Sequence, residues 1–266
     1  MTNSEYHAHP AISKSKLFKI KDSPEKFKFE LDNPPQQTAA MLFGSAFHKY
    51  VLEPDSFYED FTVAPSVNRR TKAGKEQWEA YLSESDGKSV ITLDDFETIS
   101  GMAESIKKNR YAPTLLSGPH EQSFFWSDDL TGEECKCRPD ALAELGRVNI
   151  ISDLKSCESA KTEDFMRDAI KYGYDLQAYM YTSGLQANTG KEYQFVFIAV
   201  EKKPPYAVNV LQADGMFIKH GEDLFREYIG IYHDCKQTGN WWGYNRFSGA
   251  ISSITLPAYL RREYGE

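Results

Sequence analysis

Along the first 115 residues the apolar side chains recur at helical spacing; from about residue 121 they gather into short runs of strand length. Residues 13–31 read as helix broken at Ser23-Pro24, with Ser13 or Ser15 as the starting cap and Pro24 in the first turn of the second piece. Asn33-Pro34-Pro35 ends it. Residues 38–53 form another helix, built on Met41, Leu42, Ala46, Val51 and Leu52 and stopped by Pro54. Residues 61–75 read as loop, followed by a helix from about Lys72 to Leu82. A further helix covers 92–108, capped by Thr92 with Asp95 three residues on.

Strands dominate next. Gln122–Ser127 is a short aromatic strand, 128–132 a turn, and Glu134–Leu145 a strand that places Cys135 and Cys137 on one face. Gly146-Arg147 turns the chain into Val148–Lys155, apolar enough for a central strand, and the three strands read as a meander. Residues 162–188 give two helical pieces broken at Tyr172-Gly173-Tyr174, the second closed by Gly190. Tyr193–Val200 is nearly unbroken in its apolar character, as in a strand buried on both faces. Pro204-Pro205 leads to a strand at Ala207–Leu211 and an amphipathic helix at about Asp214–Lys236, then Trp241, Trp242 and a short end helix around 257–263. This order predicts an α/β fold, a mixed central sheet flanked by helices. The 266 residues read as one domain, with a mainly helical part at 1–115 packed beside an α/β core at 116–266.

Composition narrows the class. Apolar residues make up 41% and aromatics 14%, enough for a substantial core. No apolar run approaches the ~20 residues of a membrane span, and Met1–Pro10 is too polar for a signal peptide, so a cytoplasmic protein without membrane association is expected. Four cysteines in a chain of this length do not make a disulfide framework and read as buried thiols. A net charge of −8 argues against a broadly basic nucleic-acid binder. Basic residues nevertheless concentrate at Lys14, Lys16, Lys19, Lys21, Lys26 and Lys28, and again at Arg69, Arg70, Lys72 and Lys75. Either run could line a local channel or be a solvated helix face.

The candidate chemistry lies at strand ends. Asp140 follows Pro139, and Asp153 and Lys155 share a strand face because they are two residues apart. Two carboxylates, the Leu154 carbonyl and water form an oxygen-rich set suited to Mg²⁺ or Mn²⁺. A lysine beside them can orient or help deprotonate a water, or offset charge in a phosphoryl transition state. The competing reading is a capped turn and a surface ion pair. Gln177 and Tyr181, four apart on a helix, share a face. His48, after Phe43-Gly44-Ser45-Ala46-Phe47, could add a metal ligand or simply pack.

This combination resembles the PD-(D/E)xK nuclease superfamily, and more closely the RecE-type exonucleases, namely the C-terminal region of exodeoxyribonuclease VIII and its phage relatives. The likeness runs through Ile12-Ser13-Lys14-Ser15-Lys16-Leu17, Ser23-Pro24, the segment ending at His48 with Leu52-Glu53-Pro54, and Val63-Ala64-Pro65 with Asn68-Arg69-Arg70-Thr71. It continues with Glu121, Cys137-Arg138-Pro139-Asp140, Asp153-Leu154-Lys155, and Gln177 with Tyr181. The resemblance implies a restriction-endonuclease-like core. In it Asp140, Asp153, the Leu154 carbonyl and His48 hold the metal, Lys155 is the catalytic lysine, and Gln177 and Tyr181 support the site. Glu121 would hold a second metal or its water, and Arg69, Arg70, Lys72 and Arg138 would contact DNA. The implied activity is Mg²⁺-dependent (Mn²⁺ as substitute) 5′→3′ digestion of double-stranded DNA ends, leaving 3′ tails for recombination by a RecT-like annealing protein. A ring-shaped trimer or tetramer and a phage or prophage setting belong to the same expectation. Alternatives are a Cas4-like end trimmer, a structure-specific endonuclease, or a decayed DNA-binding module. Some related nucleases carry an iron–sulfur cluster; the spacing of Cys135, Cys137, Cys157 and Cys235 matches no such pattern, and none is expected here.

Overall fold

A computed structural model describes residues 1–64, 67–85, 87–244, 251 and 253–262, without the side chains of Ala258 and Tyr259. Pro65 and the Glu263 end of the expected terminal helix lie outside the described residues. The chain opens with α1 (Asn3–Ala8), closed by a reciprocal capping box between Thr2 and Glu5, then β1 (Ile12–Ser13) and the single turn α2 (Lys14–Leu17). Ser23 caps α3 (Pro24–Asp32) and Thr38 caps α4 (Ala39–Leu52). Next come α5 (Phe57–Asp60), β2 (Phe61–Ala64), α6 (Lys72–Glu84), β3 (Ser89–Thr92), α7 (Leu93–Lys108) and α8 (Ala112–Leu115). The strands β4 (Phe124–Ser127), β5 (Glu134–Cys137), β6 (Ala141–Leu145) and β7 (Val148–Cys157) lead to α9 (Thr162–Tyr172) and α10 (Tyr174–Thr189). Then β8 (Tyr193–Glu201), β9 (Val208–Gln212), α11 (Gly215–Thr238) and α12 (Ala258–Arg261) follow.

The central sheet has the order β6-β7-β8-β9. β6 and β7 form an antiparallel hairpin, β7 runs parallel to β8 with α9 and α10 as the crossover, and β8 and β9 are antiparallel. A parallel neighbour reached through helices is buried on both faces, which accounts for the apolar runs of β7 and β8. On one face Ile150, Leu154, Ile198 and Val200 pack on Phe47 of α4 and on Ile99, Met102 and Ile106 of α7. On the other, Ile151, Phe195, Phe197 and Ala199 meet Phe165 of α9 and Ala178 and Leu185 of α10. A third cluster joins Ile12, Leu17 and Phe27 to Leu176, Met180, Phe225 and Ile229, so the first 30 residues share a core with α10 and α11.

Two expectations need correction. The segment 134–145 is two strands in two sheets, so the three-strand meander does not form. β5 pairs with β4 and, in parallel, with β1, while β6 joins the central sheet. The break falls at Arg138-Pro139-Asp140, where proline has no N–H to donate to a ladder. Residues 61–64, read as loop, are a strand parallel to β3 from Phe61↔Ser89 to Ala64↔Thr92, with Phe61 and Ala64 buried. α1 and β3 are additional elements. All four cysteines are free and buried, and burial pushes the Cys135 and Cys157 thiols up to about 12. Among the described residues no helix is long and apolar enough to cross a membrane.

Candidate active site

β6 begins at Ala141 opposite Ser152, so residues 153–157 of β7 run past its end, paired with β8 alone. Asp140 occupies the step. Its Oδ2 accepts the Leu154 N–H at 2.6 Å, taking the place the missing ladder partner would fill. In an extended strand the N–H and C=O of one residue point the same way, so the Leu154 carbonyl is directed to the Asp140 side as well. The Leu154 side chain turns to the α4–α7 core, and Asp153 and Lys155 turn to the α10 side.

Each carboxylate has its own cation. His48 Nε2 lies 3.0 Å from Asp140 Oδ2, and His48 Nδ1 donates to the Gly44 carbonyl at 2.8 Å. Burial opposes charge on His48, but the Asp140 carboxylate outweighs it and raises the imidazole to about 9. Asp140 is also buried, yet His48 holds its carboxyl below the usual range. Lys155 Nζ stands 2.5 Å from Asp153 Oδ2, and Gln177 Nε2 donates to Asp153 Oδ1 at 2.5 Å. Burial lifts the Asp153 carboxyl above its ordinary value against the pull of Lys155. Lys155 loses solvation in turn, but Asp153 holds it up at about 12.

The donor types suit a hard cation. Asp153 Oδ2 is buried and accepts no directed hydrogen bond. The bond from His48 Nδ1 to Gly44 leaves Nε2, the nitrogen that faces Asp140, as the one available to a metal once deprotonated. Among the described residues no three His, Cys, Asp or Glu side chains converge tightly enough to hold an ion by themselves. The Leu154 carbonyl and water would complete the shell around Asp140, Asp153 and His48. His48 and Lys155 balance the charges of the two carboxylates.

Lys155 and Gln177 form the floor of a cleft of about 380 Å³, with Asp153 beneath them. Its walls carry Lys14, Lys16, Lys136 and Arg138 and a single carboxylate, Glu121, together with Ser13, Ser15, Tyr174 and Tyr181. An acidic protein thus opens a cationic groove whose lining includes both partners of the buried Asp153. Glu121 adopts φ +50°, an uncommon conformation for a residue with a side chain. Its N–H donates to the Asp140 carbonyl at 3.3 Å, and burial, then the Asp140 charge, raises its carboxyl to about 7. Tyr181 packs its ring edge-on against Phe195 while lining the cleft.

Arg138 reaches the cleft but is heavily engaged. It donates to Ser123 Oγ at 2.7 Å, to Asn3 Oδ1 and the Thr2 carbonyl at 3.2 Å, and to the Met1 carbonyl at 3.4 Å, and it stacks 4.2 Å from the Tyr6 ring centre. Arg69, Arg70 and Lys72 are elsewhere, at the start of α6 and outside the cleft lining. Arg69 lies over Trp78 at 4.5 Å, and Lys72 pairs with Glu76 at 3.9 Å. Sequence reasoning did not single out Lys136 or Tyr174 for the cleft. A lysine alternating with two buried cysteines was the available sign for Lys136; Tyr174 gave none, because only the α9–α10 corner brings it to Lys155.

A mixed sheet whose second strand overhangs the first, with Asp at the step and Asp-x-Lys on the overhang, defines a restriction-endonuclease-like core of the PD-(D/E)xK class. The chain belongs to the family described as PDDEXK-like domain of unknown function (DUF3799), whose model matches residues 13–254. The crystal structure of a candidate exonuclease from Eubacterium rectale superposes with a TM-score of 0.64 at 17% identity, over 97% of this chain and 96% of that one, and so shares the fold. The crystal structure of SSO0001 gives a TM-score of 0.32 at 13% identity over 72% of this chain and 85% of that one, too little for argument. Among curated proteins none matches.

Proposed function

We propose that this chain is a metal-dependent DNA nuclease and, more narrowly, an exonuclease that digests double-stranded DNA ends in the 5′→3′ direction. The observation that carries the reading is a cationic cleft lined by Lys155 and Gln177, which both hold Asp153, and by Glu121, whose N–H bonds the Asp140 carbonyl. A DNA strand supplies what that cleft lacks, a row of anionic phosphates. Mg²⁺, or Mn²⁺ in its place, held by Asp140, Asp153, the Leu154 carbonyl and His48, would polarise the phosphoryl oxygen and acidify the attacking water. Lys155 presents an ammonium where charge develops on the phosphoryl oxygens. Gln177 fixes the Asp153 carboxylate, and Gly44 fixes the imidazole of His48. The exonucleolytic mode, the direction, the 3′ tails passed to a RecT-like annealing protein, and a ring-shaped trimer or tetramer rest on the resemblance to RecE-type enzymes.

The test is digestion of linear duplex labelled at one end, beside closed circular duplex, with Mg²⁺ and with wild type or Lys155→Ala. Stepwise loss from 5′ ends of the linear substrate only, abolished in the variant, is expected. Cutting of closed circles would replace the exonuclease reading with an endonuclease, and inert linear duplex would leave a DNA-binding module.

A further inference from the structure

One aromatic ring in the cleft carries two ammonium groups. Lys155 Nζ lies 4.7 Å from the centre of Tyr174 and Lys14 Nζ 5.3 Å from the same centre. Lys155 is balanced by Asp153 at 2.5 Å. Lys14 donates to a backbone carbonyl, that of Tyr172, at 2.6 Å, and rests 5.2 Å from the ring centre of Phe18. Its charge is therefore held by a carbonyl and ring faces. Of the two cations over this ring, Lys155 has a carboxylate in contact, whereas Lys14 is bonded to a carbonyl, and both line the cleft.

The placement of Lys14 is built in. The Phe18 ring lies only 2.4 Å from where a Cβ on Gly173 would sit, so the residue that ends α2 packs directly on the corner between α9 and α10. Lys14 bonds the residue before that glycine, and Tyr174 is the residue after it. Ser13 and Ser15, with hydroxyls 3.1 Å apart, line the cleft on either side of Lys14 in the chain. Burial, then the charge of Lys155, pulls the Lys14 ammonium down to about 8, which is the strain a nearby anion relieves.

We propose that Lys14 contacts substrate: with Lys155 it brackets one phosphodiester group of the bound DNA strand above the Tyr174 ring. The role rests on the nuclease reading, and Lys14 is a second substrate-side cation beside the lysine of the Asp-x-Lys pair.

The experiment pairs one lysine with one phosphate. Binding of a short, dye-labelled thymidine strand is measured in EDTA, where no hydrolysis competes, and then with strands carrying a single neutral methylphosphonate linkage at each position in turn. Lys14→Met is expected to weaken the all-phosphate strand about tenfold. At one linkage the substitution and the neutral group should be non-additive, so that the variant loses little further affinity there, and Lys14→Arg should retain most of the binding. Additive effects at every linkage, with the melting temperature unchanged, would overturn the proposal. If Lys14→Met melts early, Lys14→Gln replaces it, keeping a donor for the Tyr172 carbonyl without the charge. Wild type that binds no strand in EDTA and leaves linear duplex untouched with Mg²⁺ would sink the nuclease reading itself; wild type that binds no strand yet digests duplex, or binds with full additivity, removes only the role of Lys14.

Discussion

Asp153 is 1% exposed and lies between an ammonium and an amide. Removing either neighbour leaves a buried carboxylate short of a partner. Lys155→Met should lower single-turnover hydrolysis by about 10²–10³-fold, the usual cost of losing one charge-stabilising donor. Gln177→Leu should destabilise the fold by about 1–3 kcal/mol in a urea melt, because Asp153 Oδ1 then goes unsatisfied. Lys136 gives a pH signature of its own. It is 1% exposed, donates to the carbonyls of Tyr6 and His9, and is pulled by burial and then by Lys16 from 10.5 down to about 8. Between those values the unfolded chain binds more protons at this residue than the folded one, so its contribution to stability rises with pH. Wild type should therefore gain urea midpoint relative to Lys136→Met as pH is raised from 8 to 10; a constant difference would show that Lys136 is not held low.

At the scale of elements, the α9–α10 corner is the most exacting joint. Gly173 has φ +67° and no room for a Cβ beside Phe18. Gly173→Ala should cost about 1–3 kcal/mol from backbone strain alone, seen as a lower denaturation midpoint, and should also disturb Tyr174 and hence the cleft. This corner was legible: Tyr172-Gly173-Tyr174 announces a left-handed residue between two helices. So were α4, α7, β7, β8 and α11, each long enough for its period to stand out and each with a recognisable cap or apolar run. The pairs inside the site followed from local spacing, Asp153 with Lys155 on a strand and Gln177 with Tyr181 on a helix. β2, β3 and α1 are four to six residues long, too short for periodicity to speak, although Thr2 and Glu5 carried the capping-box sign of α1. The division of 134–145 was missed because apolar alternation continues on both sides of Pro139. Only tertiary pairing, β5 with β1 and β6 with β7, reveals that the two halves belong to different sheets. The basic run at Lys14 and Lys16 pointed to a channel, but the membership of Lys136 and Tyr174 was hidden for the same reason, since the cleft draws on distant segments.

For the whole molecule, the uneven charge matters more than its sum. On the nuclease reading proposed above, a net charge of −8 would repel DNA at long range, while the lysines of the cleft would attract its phosphates at short range. Binding should therefore be confined to a few phosphates. If Lys14 and Lys155 share one phosphate and Lys16 meets a second, log Kobs for a single strand should fall with log salt at a slope of about −1.4, measured by fluorescence anisotropy without Mg²⁺. A slope near zero would place the contacts elsewhere. The fold serves this economy by building one wall of the cleft from the beginning of the chain and the rest from its middle.

That wall has a consequence for how the protein comes into being. Lys136 grips the Tyr6 carbonyl across 130 residues of sequence, and Ile12 pairs with Cys135. On a ribosome adding about 5–20 residues per second, the opening segment emerges on the order of ten seconds before the strand it pairs with. Until then β1 is an unpaired edge and the Tyr6 and His9 carbonyls lack the lysine that later binds them. That wall of the cleft therefore cannot form until Glu134–Cys137 has been made, and a nascent chain carries Lys14 and Lys16 on a solvated arm before it has a cleft to put them in.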